Sequence, residues 1–310
     1  MSESFVLPSP IQELSSAVFQ AKKVRVFVKR DDLIHPIISG NKWRKLKYNL
    51  QAAKAQNFKT LLTFGGAFSN HIAATAVAGQ VFDFQTIGII RGEEYLPLNP
   101  TLQLAKESGM QLIYVSRSDY RTKDRLSLAK RLVTESFYFI PEGGTNQLAL
   151  KGCSEILTEM DSQQFGYICV SCGTGGTVSG IIQAANPTQK VMGFSALKGD
   201  FLKQEITNLL DQNYDNWTLQ TDYHFGGYAK FKPELIAFIN QFKAEHSIQL
   251  DPIYTGKLFY GVFDLIEQHH FSENSRILIV HTGGLQGIRG FNERFGNIID
   301  VFETKFVDNE

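Results

Sequence analysis

The segment Tyr167–Ile182, YICVSCGTGGTVSGII, decides the fold of this 310-residue chain. A continuous apolar run, typical of a buried strand in a parallel sheet, leads into the turn GTGGT at residues 173–177, and a helical pattern follows. This order brings free backbone N–H groups and the positive end of a helix dipole to one point, which suits a phosphate. The segment therefore predicts an α/β fold with an anion site at a strand end.

The turn at residues 173–177 is more typical of a single phosphate than of a nucleotide. No Lys-Ser/Thr pair follows it, so it is not a Walker loop, and no acidic residue ends a following strand at dinucleotide-binding spacing. Cys169 and Cys172 have Cys-x-x-Cys spacing, but we expect one in the strand and the other in the loop. Because Cys153 is the only other cysteine, we predict no metal site and no redox site.

Seven further β-rich runs alternate with segments of helical spacing along the chain. Such alternation predicts βαβ units, that is, an α/β fold with mostly parallel, twisted sheets and helices on both faces. Several of the runs end in glycine, at the strand ends where open α/β sheets bind ligands. The runs are VRVFVKR (24–30), TLLTFGG (60–66), FQTIGIIRG (84–92), QLIYVS (111–116), SFYFIPEGG (136–144), KVMGFSA (190–196) and SRILIVHTGG (275–284).

The overall composition favours a cytoplasmic protein with a small-molecule partner. The formal net charge is zero, which does not point to nucleic acid or to an anionic membrane surface. No apolar run approaches ~20 residues, and the start, MSESFVLPSP, has no basic segment followed by an apolar stretch. Three cysteines fit no disulfide framework and agree with a reducing compartment.

Lys42 lies at an unusual place for a lysine. Ser39, Gly40 or Asn41 can each cap the helix that follows, so Lys42 falls in its first turn, where the helix dipole disfavours a cation. One interpretation is a solvated surface lysine. The other is that the dipole and Lys45 lower the pKa of the Lys42 amine, which then becomes a nucleophile for an aldehyde.

A second helix start carries Ser69-Asn70-His71. We expect the preceding strand to end at Phe64 and Gly65-Gly66 to turn the chain. Free amides and short polar side chains at a helix start suit a carboxylate, although Ser69 can also be a plain N-cap.

Two more stretches carry polar side chains next to glycine. In RILIVHTGG, we interpret His281 as a hydrogen-bonded buried histidine, while the Thr282 hydroxyl can serve a ring nitrogen. In LDPIYTGK, Tyr254 precedes a helix start and is either a packing residue or a group that stacks on a ring and handles a proton.

Together these features match the requirements of pyridoxal 5'-phosphate. Lys42 would bond to its aldehyde, residues 173–177 would bind its phosphate, and Thr282 would meet its pyridine nitrogen. Ser69 and Asn70 would then bind the amino-acid carboxylate and the ring hydroxyl.

The motifs VKRDDL, GNKWRKL, SNH, CGTGGT, DPIYTGK and HTGG, in this order over most of the chain, resemble the 1-aminocyclopropane-1-carboxylate deaminase / D-cysteine desulfhydrase family of fold type II pyridoxal-phosphate enzymes. The resemblance implies a homodimer, with a large domain at residues 1–45 and 153–310 and a small inserted domain at 46–152. It makes Lys42 the cofactor-linked lysine and Lys45 its cationic neighbour. The other implied roles are cofactor binding by Asn70, Gly173, Thr174, Gly175, Gly176, Thr177, Tyr254 and Thr282, substrate binding by Ser69, Asn70 and His71, and catalytic roles for Ser69 and Tyr254.

Several positions resemble the desulfhydrases more than the deaminases. Thr255 stands where deaminases have Glu, Thr282 where they have Leu, and His71 where they have Gln, while Ile279 occupies a position that we associate with a deaminase tyrosine. The resemblance thus implies α,β-elimination on a small β-substituted amino acid such as D-cysteine, giving pyruvate, ammonia and hydrosulfide. Trp43 and Phe68 depart from both branches, and we expect both near the substrate.

Three alternatives stay open. One is ring opening of 1-aminocyclopropane-1-carboxylate, or elimination from another β-substituted amino acid. The second is a non-catalytic α/β protein that binds a phosphorylated metabolite at residues 173–177. The third, a nucleotide-binding protein, is less favoured because the acidic ribose partner is missing.

Overall fold

The computed structural model describes residues 5–122 and 124–302, which form two β-sheets flanked by helices. Within these residues there are ten strands: β1 Ile11–Leu14, β2 Arg25–Lys29, β3 Thr60–Gly66, β4 Gln85–Arg91, β5 Met110–Val115, β6 Tyr138–Ile140, β7 Tyr167–Cys172, β8 Lys190–Ser195, β9 Trp217–Gln220 and β10 Arg276–Val280.

The two sheets are almost wholly parallel. The six-stranded sheet has the order β1-β2-β10-β7-β8-β9, and only its β1–β2 pair is antiparallel. The four-stranded sheet has the order β5-β4-β3-β6 and is parallel throughout. The predicted α/β fold class is therefore confirmed, and each sheet has a carboxyl edge at which ligands can bind.

Helices connect the strands and cover both sheets. In the described residues they are α1 Ala17–Ala21, α2 Asn41–Ala55, α3 Asn70–Phe82, α4 Pro100–Glu107, α5 Arg117–Tyr120, α6 Arg125–Leu132, α7 Gln147–Thr158, α8 Gly176–Ala184, α9 Phe201–Leu209, α10 Pro233–His246, α11 Thr255–Glu267 and α12 Gly287–Phe295. Short 3-10 helices cover Asp31–Leu33, Glu142–Gly144 and Asp222–His224.

The eight strands predicted from apolar runs are all present, and two strands were missed. β1 and β9 are four-residue edge strands with mostly accessible side chains, so neither has a recognisable apolar pattern. Two predicted strand ends were wrong. β3 continues through Gly66 instead of ending at Phe64, and β7 includes Cys172, which therefore lies in the strand with Cys169.

The six-stranded sheet separates two apolar cores. Val26 and Val28 of β2 pack into one core, while Phe27 between them packs into the other, as the two-residue period of a strand requires. Leu278 of β10 alternates with its neighbours in the same way. This sheet is thus covered by apolar side chains on both faces, as is typical of a parallel sheet.

The domain boundaries at residues 46 and 152 stay a prediction. The strands of the four-stranded sheet all lie between these boundaries. Helix α2 spans the first boundary, and its residues Trp43 and Leu46 share a core with Leu61 of β3. Residues 1–4 and 303–310 of the predicted large domain lie outside the described residues. No helix in the described part of the chain is both long enough and apolar enough to span a membrane.

Candidate active site

Gly40 places Lys42 at the end of β10. Gly40 is the N-cap of α2 with a φ of +56°, and a Cβ there would lie 2.0 Å from the backbone oxygen of Thr282. Its N–H donates to the Asp31 oxygen at 2.8 Å, and the Asn41 N–H donates to the Thr282 oxygen at 3.2 Å. Only glycine fits so close to another backbone, so this residue joins the start of α2 to the segment after β10.

The surroundings of the Lys42 amine favour its neutral form. Burial, followed by the positive charge of Lys45, lowers the pKa of Lys42 to about 7. The side chain keeps some accessible surface although protein atoms surround it, as expected of a group that lines a cleft. Within residues 5–122 and 124–302 its Nζ atom has no hydrogen-bond partner. These properties fit a nucleophilic amine better than a solvated surface lysine.

Lys45 lies one turn further along α2 and reaches the glycine-rich turn. Its Nζ atom donates to the Gly143 oxygen at 3.0 Å, to Thr145 Oγ1 at 3.0 Å and to Thr174 Oγ1 at 3.3 Å. A Cβ on Gly176 would lie 3.2 Å from the same atom. Burial is the main cause that lowers the pKa of Lys45. The ammonium is therefore held beside the turn, where it can neutralise an anion.

The turn itself presents free donors. Gly175 caps α8 in the left-handed region at a φ of +79°, and α8 begins at Gly176. In the described part of the chain, the N–H groups of residues 174–177 donate to no protein acceptor. Asn41 Nδ2 donates to Thr177 Oγ1 at 3.1 Å, which ties this helix start to α2. Free amides, a helix N-terminus and a lysine together form a phosphate site.

A second set of free amides begins α3. Ser69 is its N-cap, as one interpretation predicted, and its Oγ atom accepts the Ile72 N–H at 3.3 Å. The N–H groups of Asn70 and His71 have no acceptor among the described residues. Asn70 Nδ2 donates to the Gly284 oxygen at 3.3 Å, and Asn70 Oδ1 is buried with no partner in that same part of the chain. This helix start can bind a carboxylate and still leaves one buried amide oxygen unused.

The resemblance made His71 a substrate-binding residue, but its side chain contacts Thr63 instead. Its Nε2 atom lies 2.9 Å from Thr63 Oγ1, and that hydroxyl donates its own proton to the Ile140 oxygen at 2.8 Å. Nε2 must therefore carry the imidazole proton, which leaves Nδ1 as an acceptor. Burial, then Lys42 and Lys45, lower the pKa of His71 well below its usual value. The neutral ring has no proton to offer a carboxylate, so only the His71 backbone N–H can bind one.

The segment after β10 contains Thr282 and a hydrogen-bonded histidine. Thr282 is buried, and its hydroxyl lies 3.2 Å from that of Ser171 at the neighbouring end of β7. His281 Nε2 lies 2.7 Å from the Gln249 oxygen, and its Nδ1 accepts the Gly283 N–H at 3.2 Å. The interpretation of His281 as a hydrogen-bonded buried residue is confirmed.

Tyr254 faces the glycine-rich turn from the start of α11. A Cβ on Gly173 would lie 3.1 Å from the Tyr254 ring, so this glycine permits the contact. Burial is the main cause that raises the pKa of Tyr254 well above its usual value, so the phenol keeps its proton. The Tyr228 ring stands edge-on to it, with the centroids 6.2 Å apart.

Tyr228 could not be predicted from the sequence, because it lies in a loop without strand or helix periodicity. Lys257 fixes this loop by donating to the backbone oxygens of His224 and Gly227, both at 2.8 Å. Ile279, the position compared with a deaminase tyrosine, is fully buried in the core of the six-stranded sheet. The site therefore contains a second tyrosine, Tyr228, which comes from this loop and not from β10.

Of the two departures from the family pattern, only Phe68 lies at the site. Trp43 is buried in the core, with its ring centroid 4.1 Å from that of Phe5 and 5.8 Å from that of Phe82. Phe82 is at the far end of α3 from Ser69, so the expectation that Trp43 lies near the substrate is wrong. Phe68 is 42% exposed and packs against Gly290 of α12.

The residues present fit pyridoxal phosphate, and in the described chain they form no metal site. Lys42 supplies an amine for the aldehyde, and residues 174–177 with Lys45 supply donors for one phosphate. The unused Asn70 oxygen and the Thr282 hydroxyl can meet polar atoms of the ring. The cysteines do not contribute a site, because all three are buried and free, and burial raises their pKa values.

Comparison with protein families agrees with this fit. The family model described as "Pyridoxal-phosphate dependent enzyme" matches residues 3–283. A protein of Pyrococcus abyssi named putative 1-aminocyclopropane-1-carboxylate deaminase is 31% identical over 305 residues, covering 92% of each chain. The mitochondrial bifunctional D-cysteine desulfhydrase/1-aminocyclopropane-1-carboxylate deaminase of Arabidopsis thaliana is 29% identical, covering 91% of this chain and 77% of its own.

Comparison with solved structures gives the same fold. The crystal structure of an ACC deaminase homologue superposes with a TM-score of 0.82 at 27% identity, and the match covers 96% of each chain.

Proposed function

Because this chain belongs to the family of pyridoxal-phosphate dependent enzymes, we propose that it is a lyase that performs α,β-elimination on a small amino acid. The substrate resembles D-cysteine, and the products are pyruvate, ammonia and hydrosulfide. The observation that carries this proposal is the start of α2, where Lys42, with its pKa lowered to about 7, lies between Asn41, which donates to Thr177, and Lys45, which donates to Thr174.

The cofactor is placed by groups from both sheets. Lys42 would bond to its aldehyde carbon, and the turn at residues 173–177 would bind its phosphate together with Lys45. Thr282 would meet the ring nitrogen, and Asn70 would meet the ring hydroxyl. When bound, pyridoxal phosphate withdraws electrons from the substrate Cα and so makes its proton removable.

The remaining groups act on the substrate. Its carboxylate binds the free N–H groups of Asn70 and His71 and the Ser69 hydroxyl, which orients the Cα–H bond. As a free amine, Lys42 has a pKa near neutrality, which would suit a general base for the Cα proton. Tyr254 stays protonated because burial raises its pKa, so its hydroxyl would donate a hydrogen bond to the departing group. The neutral Thr282 hydroxyl holds a ring proton less firmly than a carboxylate, which favours elimination over transamination.

Substitution of Lys42 by alanine tests the proposal. We expect Lys42→Ala to lose the visible absorbance of lysine-bound cofactor, its reduction by borohydride, and keto-acid release from D-cysteine. Lys54→Ala, at an exposed lysine of the same helix, is the matched control and should retain all three. Pyruvate release at the wild-type rate in Lys42→Ala would contradict the mechanism. Wild-type protein that takes up no cofactor would favour the non-catalytic phosphometabolite binder instead.

Ring opening of 1-aminocyclopropane-1-carboxylate is the second candidate. Tyr228 beside Tyr254 favours it, because two phenols at one site can serve two proton transfers, and the names of the relatives agree. Thr255 and Thr282 favour elimination, as the sequence comparison indicated. Ammonia release from both compounds, measured side by side with one preparation of holoenzyme, separates the two. If the protein releases 2-oxobutanoate from 1-aminocyclopropane-1-carboxylate and no pyruvate from D-cysteine, ring opening becomes the favoured function.

Three further expectations are part of this proposal. A homodimer follows from the resemblance, and sedimentation of the holoenzyme measures it. The cytoplasmic location and the domain boundaries at residues 46 and 152 likewise stay predictions.

A further inference from the structure

Two arginines lie at the carboxyl edge of the four-stranded sheet. Arg91 is the last residue of β4, Tyr120 ends the short helix after β5, Arg125 begins α6, and Glu142 follows β6. Because all strands of this sheet are parallel, these residues share the edge at which open α/β sheets bind ligands. The strand β3 between β4 and β6 leads to Ser69, so the arginines are neighbours of the carboxylate site.

The Arg91 guanidinium is close to that site. Its Nη2 atom lies 3.4 Å from the position of a Cβ on Gly66, and the Gly66 oxygen accepts the Ser69 N–H at 3.0 Å. The side chain is exposed and its Cζ atom lies 5.6 Å from the centroid of the Tyr120 ring. Within residues 5–122 and 124–302 none of its N–H groups has a hydrogen-bond acceptor or a carboxylate partner.

Tyr120 and Arg125 support this position. The Arg125 Cζ atom lies 4.0 Å from the centroid of the Tyr120 ring, and Arg125 Nη2 pairs with Glu142 Oε2 at 3.2 Å. Arg125 Nη1 is buried and has no partner among the described residues, whereas the Tyr120 hydroxyl interacts with Glu142 and Arg125. Glu142 offsets one of the two guanidinium charges, so the cluster keeps an excess positive charge with unused donors.

The cluster faces the cleft between the two sheets. Burial is the main cause that raises the pKa of Tyr228, while Arg91 lowers this pKa and Glu142 raises it. Tyr228 stands beside Tyr254, which covers Gly173 of the glycine-rich turn. The charges of the four-stranded sheet therefore act on the tyrosine that stands beside Tyr254.

We propose that Arg91, held on the Tyr120 ring and backed by Arg125, binds an acidic group on the β-substituent of the substrate. This inference rests on the proposed lyase function and extends its substrate class to β-substituted amino acids that carry a carboxylate, sulfonate or phosphate beyond Cβ. The α-carboxylate binds at the start of α3, and the guanidinium next to Gly66 meets the second anion. Arginine suits this role because its fork of N–H groups matches the oxygens of such groups.

A pair of substrates that differ in charge tests the inference on the holoenzyme. O-Phosphoserine and O-acetylserine, each as the D and the L form, both yield pyruvate and ammonia, with phosphate or acetate as the leaving group and one water consumed. We expect the phosphorylated compound to have the higher kcat/KM. Arg91→Gln should lower the ratio of kcat/KM for the acidic over the neutral substrate by roughly 10- to 100-fold, the value of a charge-assisted hydrogen bond. Arg131→Gln, at an exposed arginine of α6, is the matched control and should leave this ratio unchanged.

The outcomes separate this inference from the proposed function. If O-acetylserine is turned over and the ratio of kcat/KM for the acidic over the neutral substrate is equal in wild type and Arg91→Gln, the inference is overturned. The proposed lyase function then stands. No keto acid from any amino acid overturns the lyase. Calorimetric titration of the cofactor-loaded protein with O-phosphoserine then tests whether Arg91 binds the acidic group. Weaker binding by Arg91→Gln than by wild type supports the inference, and equal binding contradicts it.

Discussion

At the scale of single residues, Lys42 shows which properties of the site can be predicted from the sequence. Its place after Gly40 in a first helical turn is visible in the sequence, and so is Lys45 one turn later. What the sequence cannot give is burial, which is the largest cause of the lowered pKa of Lys42. The same holds for His71, because its tautomer depends on Thr63 and Ile140, and Ile140 is 69 positions away.

The lowered pKa of Lys42 predicts a pH dependence of stability in the cofactor-free protein. Between pH 7 and pH 10.5 the unfolded chain holds a proton on Lys42 that the folded protein has released. Stability rises with pH wherever the unfolded state binds more protons. The free energy of unfolding of wild type minus that of Lys42→Met should therefore increase from about pH 7 towards pH 10.

Urea unfolding at several pH values in this window measures that difference. Lys54→Met, at an exposed lysine of the same helix, is the control, and its difference from wild type should stay constant. A constant difference for Lys42→Met as well would show that its amine is as hydrated in the folded protein as in the unfolded chain.

At the scale of elements, the junction between β10 and α2 is the critical contact of the site. Gly40→Ala introduces a Cβ that would lie 2.0 Å from a backbone oxygen, in a residue with a φ of +56°. Steric overpacking and positive φ together should lower the free energy of unfolding by about 3 kcal/mol. Because the start of α2 must move, we also expect weaker binding of the cofactor.

Gly109→Ala is the matched control for this prediction. Gly109 also has a positive φ, of +85°, but a Cβ there would meet nothing within 4 Å. It should lower the free energy of unfolding by only about 1 kcal/mol. Equal losses in the two variants, measured by denaturant unfolding, would mean that the contact with Thr282 has no special importance.

The elements themselves were largely predictable from the sequence, and their contacts were not. Apolar runs, several of them ending in glycine, mark eight strands because burial in a mostly parallel sheet leaves a hydrophobic pattern. The edge strands β1 and β9 have no such pattern. Tyr228 and Arg91 were missed because the former lies in an irregular loop and the latter is one exposed arginine among many. Only the packing of the two sheets gives either residue a role.

At the scale of the whole molecule, the site joins residues of both sheets. We expect the cofactor to contact the start of α3 from the four-stranded sheet and the turn after β7 from the six-stranded sheet. A ligand that binds only the folded state stabilises it, by about 2.7 kcal/mol at a concentration 100 times its Kd. Removal of pyridoxal phosphate should thus lower the unfolding temperature by roughly 5 °C or more.

Differential scanning calorimetry before and after removal of the cofactor measures this shift. Lys42→Ala should show a smaller shift, since it lacks the covalent link. If the unfolding temperature is the same with and without cofactor, the proposed contacts with both sheets do not form.

The three buried thiols have a consequence for the proposed release of hydrosulfide. Burial raises the pKa of Cys153 to about 11 and that of Cys172 to about 12, and Cys172 directly precedes the glycine-rich turn. Thiolates, and not thiols, attack oxidised sulfur species, so these side chains are almost inert at neutral pH. Hydrosulfide that is oxidised after its release therefore meets no thiolate in the core of the protein that it could persulfidate.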